Sequence, residues 1–111
     1  MKIAVIGIGH MGFWMAKELS RKHKLYVYDL DPSRLEKLSG VTKLKDYKEI
    51  ADFDPEILIN AVDIQKTIDA FHSVLPYLSK ECILADMASV KDRLPEFYKS
   101  TDFRFVSVHT M

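Results

Sequence analysis

Apolar runs of strand length alternate along this chain with segments of helical period. Lys2-Ile3-Ala4-Val5-Ile6 shows no polar alternation, the pattern of a parallel strand covered on both faces. Met11, Met15 and Leu19 then recur at four-residue spacing, which predicts a helix with these three on its inner face. Leu25-Tyr26-Val27-Tyr28 reads as the second strand. Asp31 offers an N-cap with Pro32 at the first helical position, and Gly40 is placed to close that second helix. A short third strand is expected over 41–44, and a brief helix from Asp46 to Ile50. The second half repeats the scheme. Residues 57–61 form the fourth predicted strand, and Ile64, Ile68, Phe71, Leu75 and Leu78 mark one helical face that Pro76 kinks or ends. Residues 82–85 and 104–108 are the fifth and sixth strands, and between them Ser89 can cap a helix carrying Leu94 and Phe97.

Strands joined by helical crossovers pair in parallel, because parallel neighbours need long connections. The expected fold is therefore α/β: a doubly wound, Rossmann-type domain over residues 1–111, with a mainly parallel six-stranded sheet and helices on both faces. Ligands of such sheets bind in the crevice beyond the carboxyl ends of the strands. Here those ends are Gly7, Asp29, Ala61, Asp86 and His109.

The first of these ends opens Gly7-Ile8-Gly9-His10-Met11-Gly12, a GxGxxG run that follows a buried strand and begins a helix. The chain has four glycines and three of them are here. Gly7 suits the tight turn, Gly9 a close approach of backbone to a pyrophosphate, and Gly12 close packing of helix on sheet. The pyrophosphate then meets the helix N-terminus, where free N–H groups and the helix dipole favour negative charge. Asp29 stands 22 residues after Gly7, near the offset of a carboxylate that accepts bonds from the adenosine ribose hydroxyls. The same carboxylate repels a 2′-phosphate, so NAD is the expected cofactor rather than NADP, although Arg34 is close enough in sequence to swing toward a phosphate. His10 and Met11 within the loop, and Ala61 and Asp63 after the fourth strand, complete the expected cofactor-binding set.

Composition narrows the field further. Sixteen Lys and Arg balance sixteen Asp and Glu, so the chain has no electrostatic reason to seek nucleic acid or an anionic membrane. The single cysteine, Cys82, excludes a disulfide framework and any multi-cysteine metal site. No apolar run approaches the length of a membrane span or a signal peptide, and the expected location is the cytoplasm.

At the far strand ends, Asp86-Met87-Ala88-Ser89-Val90-Lys91 follows the fifth strand and His109 ends the sixth. A neutral imidazole there can accept a hydroxyl proton as hydride leaves the same carbon, and Ser89 can hold the hydroxyl or cap a helix. The runs GIGHMG, NAVDIQKT, DMASVK and FVSVHTM, in this order over essentially the whole chain, resemble the nucleotide-binding domain of prephenate dehydrogenases. The resemblance implies NAD-dependent oxidative decarboxylation of prephenate, or of its aminated relative arogenate, to an aromatic product in tyrosine biosynthesis. It assigns the substrate hydroxyl to Ser89 and His109, although Thr110 stands where the family has proline after the histidine. It further implies a C-terminal helical domain, without counterpart in these 111 residues, that completes the substrate site and forms a homodimer. Other GxGxMG dehydrogenases or imine reductases, and a non-catalytic NAD-binding module, share the loop. The first of these would carry a catalytic lysine on a later helix.

Overall fold

The structure, a computed structural model, describes residues 1–62, 66–86, 99 and 103–107, the side chains of residues 10, 11, 67 and 107 excepted. Six strands are seen: β1 (Lys2–Ile6), β2 (Lys24–Tyr28), β3 (Thr42–Lys43), β4 (Ile57–Asn60), β5 (Ile83–Asp86) and β6 (Phe105–Ser107). They form one sheet in the order β3-β2-β1-β4-β5-β6, and every described pairing is parallel. This is the doubly wound Rossmann arrangement, and the strand order reverses between β1 and β4.

Burial on both faces explains why β1 lacks alternation. Ala4 and Ile6 join one apolar cluster with Leu58, Phe71, Val74 and Leu84. Ile3 and Val5 join another, with Ala16, Val27, Leu35 and Ile59 on the opposite face. Helix α3 (Thr67–Val74) covers the first face, together with α2 (Glu49–Phe53), and α1 (His10–Leu19) covers the second. The edge strand β3 is only two residues long, both exposed, which limits strand addition at that side.

The helices depart from the sequence expectation in instructive ways. The fully buried residues described on α1 are Gly12 and Ala16, while Met15 and Leu19 are only partly covered and the side chain of Met11 lies outside the described residues. The helix lies so close to the sheet that small residues occupy the contact line. The predicted second helix is a four-residue 3-10 turn, Pro32–Leu35. Asp31 does cap it, accepting from the Ser33 N–H at 3.1 Å, and Pro32 does lead it. Leu35 ends this turn and Leu38 lies just beyond it, its N–H donating to the Leu35 carbonyl at 3.1 Å, and both side chains are buried. Asp46 accepts from the Lys48 N–H at 2.8 Å, and α2 then runs three residues later than expected, ending where Asp54 turns left-handed at φ 53. Pro76 ends α3 as anticipated, because the chain tightens into the 3-10 turn Leu75–Tyr77. Ile64 and the predicted helix with Ser89, Leu94 and Phe97 lie outside the described residues. His23 is half-buried with Nδ1 enclosed, whereas His72 is exposed. Cys82 is a buried core residue, and burial pushes its thiol up to about 12. Among the described residues no helix is long and apolar enough to cross a membrane.

Candidate functional site

The chain leaves β1 through Gly7 at φ +86, a conformation that side-chain-bearing residues rarely adopt. Its N–H donates to the Tyr28 carbonyl at 2.9 Å, which ties the loop to the end of β2. A Cβ at Gly7 would stand 2.7 Å from the Val62 nitrogen, so space as well as backbone angle restricts this position. Gly9 is the N-cap of α1, its carbonyl accepting from Phe13 N–H at 2.8 Å. No side chain caps this helix and its first turn holds no acid, so the N-terminal amides keep their capacity for an anion. A Cβ at Gly12 would collide with the Gly7 carbonyl oxygen, whereas one at Gly9 would meet nothing within 4 Å.

The two glycines therefore predict different failures. Gly12→Ala is expected to push α1 off the sheet and cost about 1–3 kcal/mol, as overpacked sites do. Gly9→Ala should leave stability within about 0.5 kcal/mol while weakening cofactor binding, because its methyl group would project into the cleft. Thermal melts alongside nucleotide titrations check both, and equal losses of stability in the two variants would contradict the geometry.

Asp29 follows β2 and is 9% exposed. Its Oδ2 accepts from Ile8 N–H at 2.6 Å and its Oδ1 from Asp31 N–H at 2.8 Å. The carboxylate thus fastens the glycine loop to the start of the next connection, a structural duty that its sequence position does not reveal. Each oxygen retains a further lone pair for a ligand hydroxyl. The Arg34 guanidinium stands 3.9 Å from Oδ2 and is more than half exposed.

These groups border a cleft of about 480 Å³, with Gly7 and Gly9 at one side, Asp29 at the rim and Ala61 at the end of β4. Ala61 N–H donates to the Ile6 carbonyl at 2.8 Å, extending the β1–β4 contact past the last paired residue of the strand. Tyr28 and Tyr47 also line it, their ring centroids 4.3 Å apart. Burial first raises the pKa of both hydroxyls; Asp46 and then Asp29 add to the effect at Tyr28, and Tyr28 and then Asp29 at Tyr47. Lys66, Asp69, Ala70 and Ser73 bring the near face of α3 and its approach to the same cleft. Their spacing of three, one and three residues was the available signal for a shared face, but nothing in the sequence said which cleft it borders.

Of the remaining expected residues, His10 and Met11 lie on the first turn of α1 and their side chains are outside the described set. Asp63, Ser89 and His109 lie outside the described residues altogether. Their neighbours are placed. Asp86 is fully buried at the end of β5, in register with Asn60 of β4 on one side and Ser107 of β6 on the other. Ser89 and His109 come three residues after Asp86 and two after Ser107.

Residues 2–106 match the family described as the NAD binding domain of 6-phosphogluconate dehydrogenase. The chain belongs to this family. It is an NAD-binding domain of the oxidoreductase type, and the geometry accommodates the cofactor: an uncapped helix start, an open space that a Cβ at Gly9 would enter, and a carboxylate at the end of β2. Among solved structures, the domain is similar to prephenate dehydrogenase from A. aeolicus in complex with hydroxyphenyl propionate and NAD+, at 25% identity and a TM-score of 0.85, over 98% of this chain and 41% of that one. Synechocystis arogenate dehydrogenase is 27% identical, with a TM-score of 0.79 over 90% of this chain and 37% of the other. An imine reductase from Myxococcus stipitatus in complex with NADP+ shares the fold at a TM-score of 0.85 but only 16% identity, covering 100% of this chain and 41% of that one. No curated protein matches the sequence. The chain thus spans about two fifths of the length of the solved structures it resembles.

Proposed function

We propose that this domain is the cofactor-binding part of a prephenate or arogenate dehydrogenase, with Ser89 and His109 at its reacting end. The observation that carries the reading is the pairing of β5 with β6. Asp86 lies opposite Ser107, so the DMASVK segment and the histidine segment leave the sheet from neighbouring strand ends, on the half beyond the reversal point. Identities of 25–27% with prephenate and arogenate dehydrogenases, against 15–17% with imine reductase, 3-hydroxyisobutyrate dehydrogenase and ketopantoate reductase, support the same choice.

Gly7, Gly9 and Gly12 would seat the pyrophosphate at α1, with His10 and Met11 in the same turn. Asp29 would accept the ribose hydroxyls, and Ala61 and Asp63 would flank the cofactor where the sheet order reverses. NAD when bound supplies a hydride acceptor. His109, as a neutral imidazole, would take the proton of the substrate's ring hydroxyl, and Ser89 would hold that hydroxyl in place. Loss of the ring carboxylate as carbon dioxide leaves an aromatic ring, which makes the reaction effectively irreversible. The remaining length of the relatives would supply a helical domain that recognises the substrate carboxylates and forms a homodimer.

The test is turnover by the complete protein with prephenate, arogenate and 3-hydroxyisobutyrate at fixed NAD. Activity with either of the first two supports the reading. Activity with the third alone replaces it by a 3-hydroxyacid enzyme, and none at all by a binding module. The same protein is expected to bind NAD at least about tenfold more tightly than NADP, the scale of one charge-assisted hydrogen bond made or opposed. Asp29→Ala should narrow that gap, and equal affinities in the unmutated protein would refute the role given to Asp29.

A further inference from the structure

Around the crevice, three strands end in a buried aspartate or asparagine: Asp29 after β2, Asn60 in β4 and Asp86 in β5. The first two show what such a residue does. Asn60 Oδ1 accepts from the Val62 N–H at 3.1 Å, two residues on, and so turns the chain out of β4. Asp29 Oδ1 does the same for the Asp31 N–H at 2.8 Å. Its second oxygen reaches another segment, the Ile8 N–H, at 2.6 Å. A carboxamide thus suffices to turn the chain, and a carboxylate adds a second accepting oxygen.

Asp86 is the most enclosed acid among the described residues, with 0% exposure against 9% for Asp29. It stands in register with Asn60, and both come two residues after core leucines, Leu84 and Leu58, on the face that α3 covers. At the neighbouring position of β4 a neutral side chain meets the need for a turn. A carboxylate costs far more to bury than a carboxamide, and is stable in the interior only where donors meet its oxygens. An acid at this place therefore points to a task beyond turning the chain. The segment that follows it carries Ser89, three residues on.

We propose that Asp86 is a positioning residue whose charge fixes the turn that presents Ser89 to the substrate hydroxyl. This rests on the reading of Ser89 as the residue that holds that hydroxyl. On the pattern of Asp29, one oxygen serves the turn out of β5 and the other ties that turn to its surroundings. Asparagine at this position keeps the first link and loses the second, so the chain still turns but Ser89 is held loosely. A misplacement of about 1 Å is enough to cost a reaction about a hundredfold in rate. A purely structural acid has a different signature. Its loss would weaken the whole domain, NAD binding included, whether or not Ser89 is present.

The experiment combines steady-state kinetics of the complete protein on prephenate and arogenate with calorimetric NAD titration and thermal melts. Its four proteins form a double-mutant cycle: unmutated, Asp86→Asn, Ser89→Ala and the two together. Asp86→Asn should lower kcat about tenfold or more while NAD affinity stays within about twofold. Ser89→Ala should lower kcat by a similar factor, and adding Asp86→Asn to it should cost less than about twofold more. Losses that instead multiply would overturn the proposal, because Asp86 would then act by another route. So would an Asp86→Asn protein with unchanged kcat, or one whose NAD affinity falls as far as its kcat. If Asp86→Asn does not fold, Asp86→Glu retains the charge but shifts it by one methylene, and the same cycle and the same outcomes apply. Failure of both variants to fold would also overturn the proposal, since the carboxylate would then hold the domain and not Ser89. Normal turnover by Ser89→Ala would bring down the role given to Ser89. No turnover of either substrate by the unmutated protein would bring down the functional reading, and this inference falls with either.

Discussion

His109→Asn in the complete enzyme is expected to lower turnover by roughly a hundredfold or more while leaving NAD affinity nearly unchanged. A general base contributes about 10²–10⁴ in rate, and Asn cannot take up a proton. The separation of the two effects follows from the sheet. The glycine loop and Asp29 belong to the ends of β1 and β2, whereas His109 follows β6 at the opposite edge, three strands from β1. On the proposed assignment, the substitution leaves the glycine loop and Asp29 unchanged. Turnover should also fall on the acid side, where a protonated imidazole can no longer accept a proton. The sign distinguishes this base from a protonated acid, whose loss would instead lower activity on the alkaline side. Steady-state kinetics across pH, together with nucleotide titration of the variant, check the prediction. Near-normal turnover by His109→Asn would remove this residue from the mechanism.

Residues 1–111 alone are expected to bind NAD and to show no measurable turnover of prephenate. The solved relatives are more than twice as long, since the chain covers 41% of the A. aeolicus enzyme. Prephenate carries two carboxylates, and their recognition calls for fixed cations, above all arginine in a bidentate fork. Only Arg34, Arg93 and Arg104 follow residue 22. Arg34 is committed to the ribose end, beside Asp29. Arg104 precedes β6 and donates from Nη2 to the Glu81 carbonyl at 3.4 Å, at the amino ends of the strands and away from the crevice. Arg93 lies outside the described residues. Without a further arginine the substrate carboxylates lack a bidentate partner to orient them, and positioning can account for about 7–11 kcal/mol of barrier lowering. Calorimetry with NAD, followed by NADH formation at saturating prephenate, tests both halves. Robust turnover by residues 1–111 would show that the cations and walls of the remaining length are dispensable.

Sequence by itself determined the parts of this protein that local chemistry dictates. Strands β1, β4 and β5 were legible because three or four consecutive apolar residues must be buried on both faces, and a parallel sheet under two helical layers is what does that. The glycine turn was legible because few residues other than glycine tolerate φ +86, and Asp31-Pro32 because a cap and a fixed φ act within one turn. Whether a turn so capped grows into a helix is not settled by the cap. Here the turn ends at Leu35, although Leu35 and Leu38 are both buried, and only the folded chain shows it. Nor does any local rule fix strand order, since a strand's own pattern carries no record of its neighbours. The tertiary structure decided that β1 lies beside β4, which brings Ala61 to the glycine loop, and that β5 lies beside β6, which sets Asp86 opposite Ser107. It likewise decided that Gly12 and Ala16 are the fully buried residues among those described on α1, with Met15 and Leu19 packing beside them only partly covered, because the distance between helix and sheet is a property of both. Asp29 belongs to each account. Its position at a strand end was readable from spacing, but its hold on the Ile8 N–H joins residues 21 apart, and only the folded chain brings them within 2.6 Å.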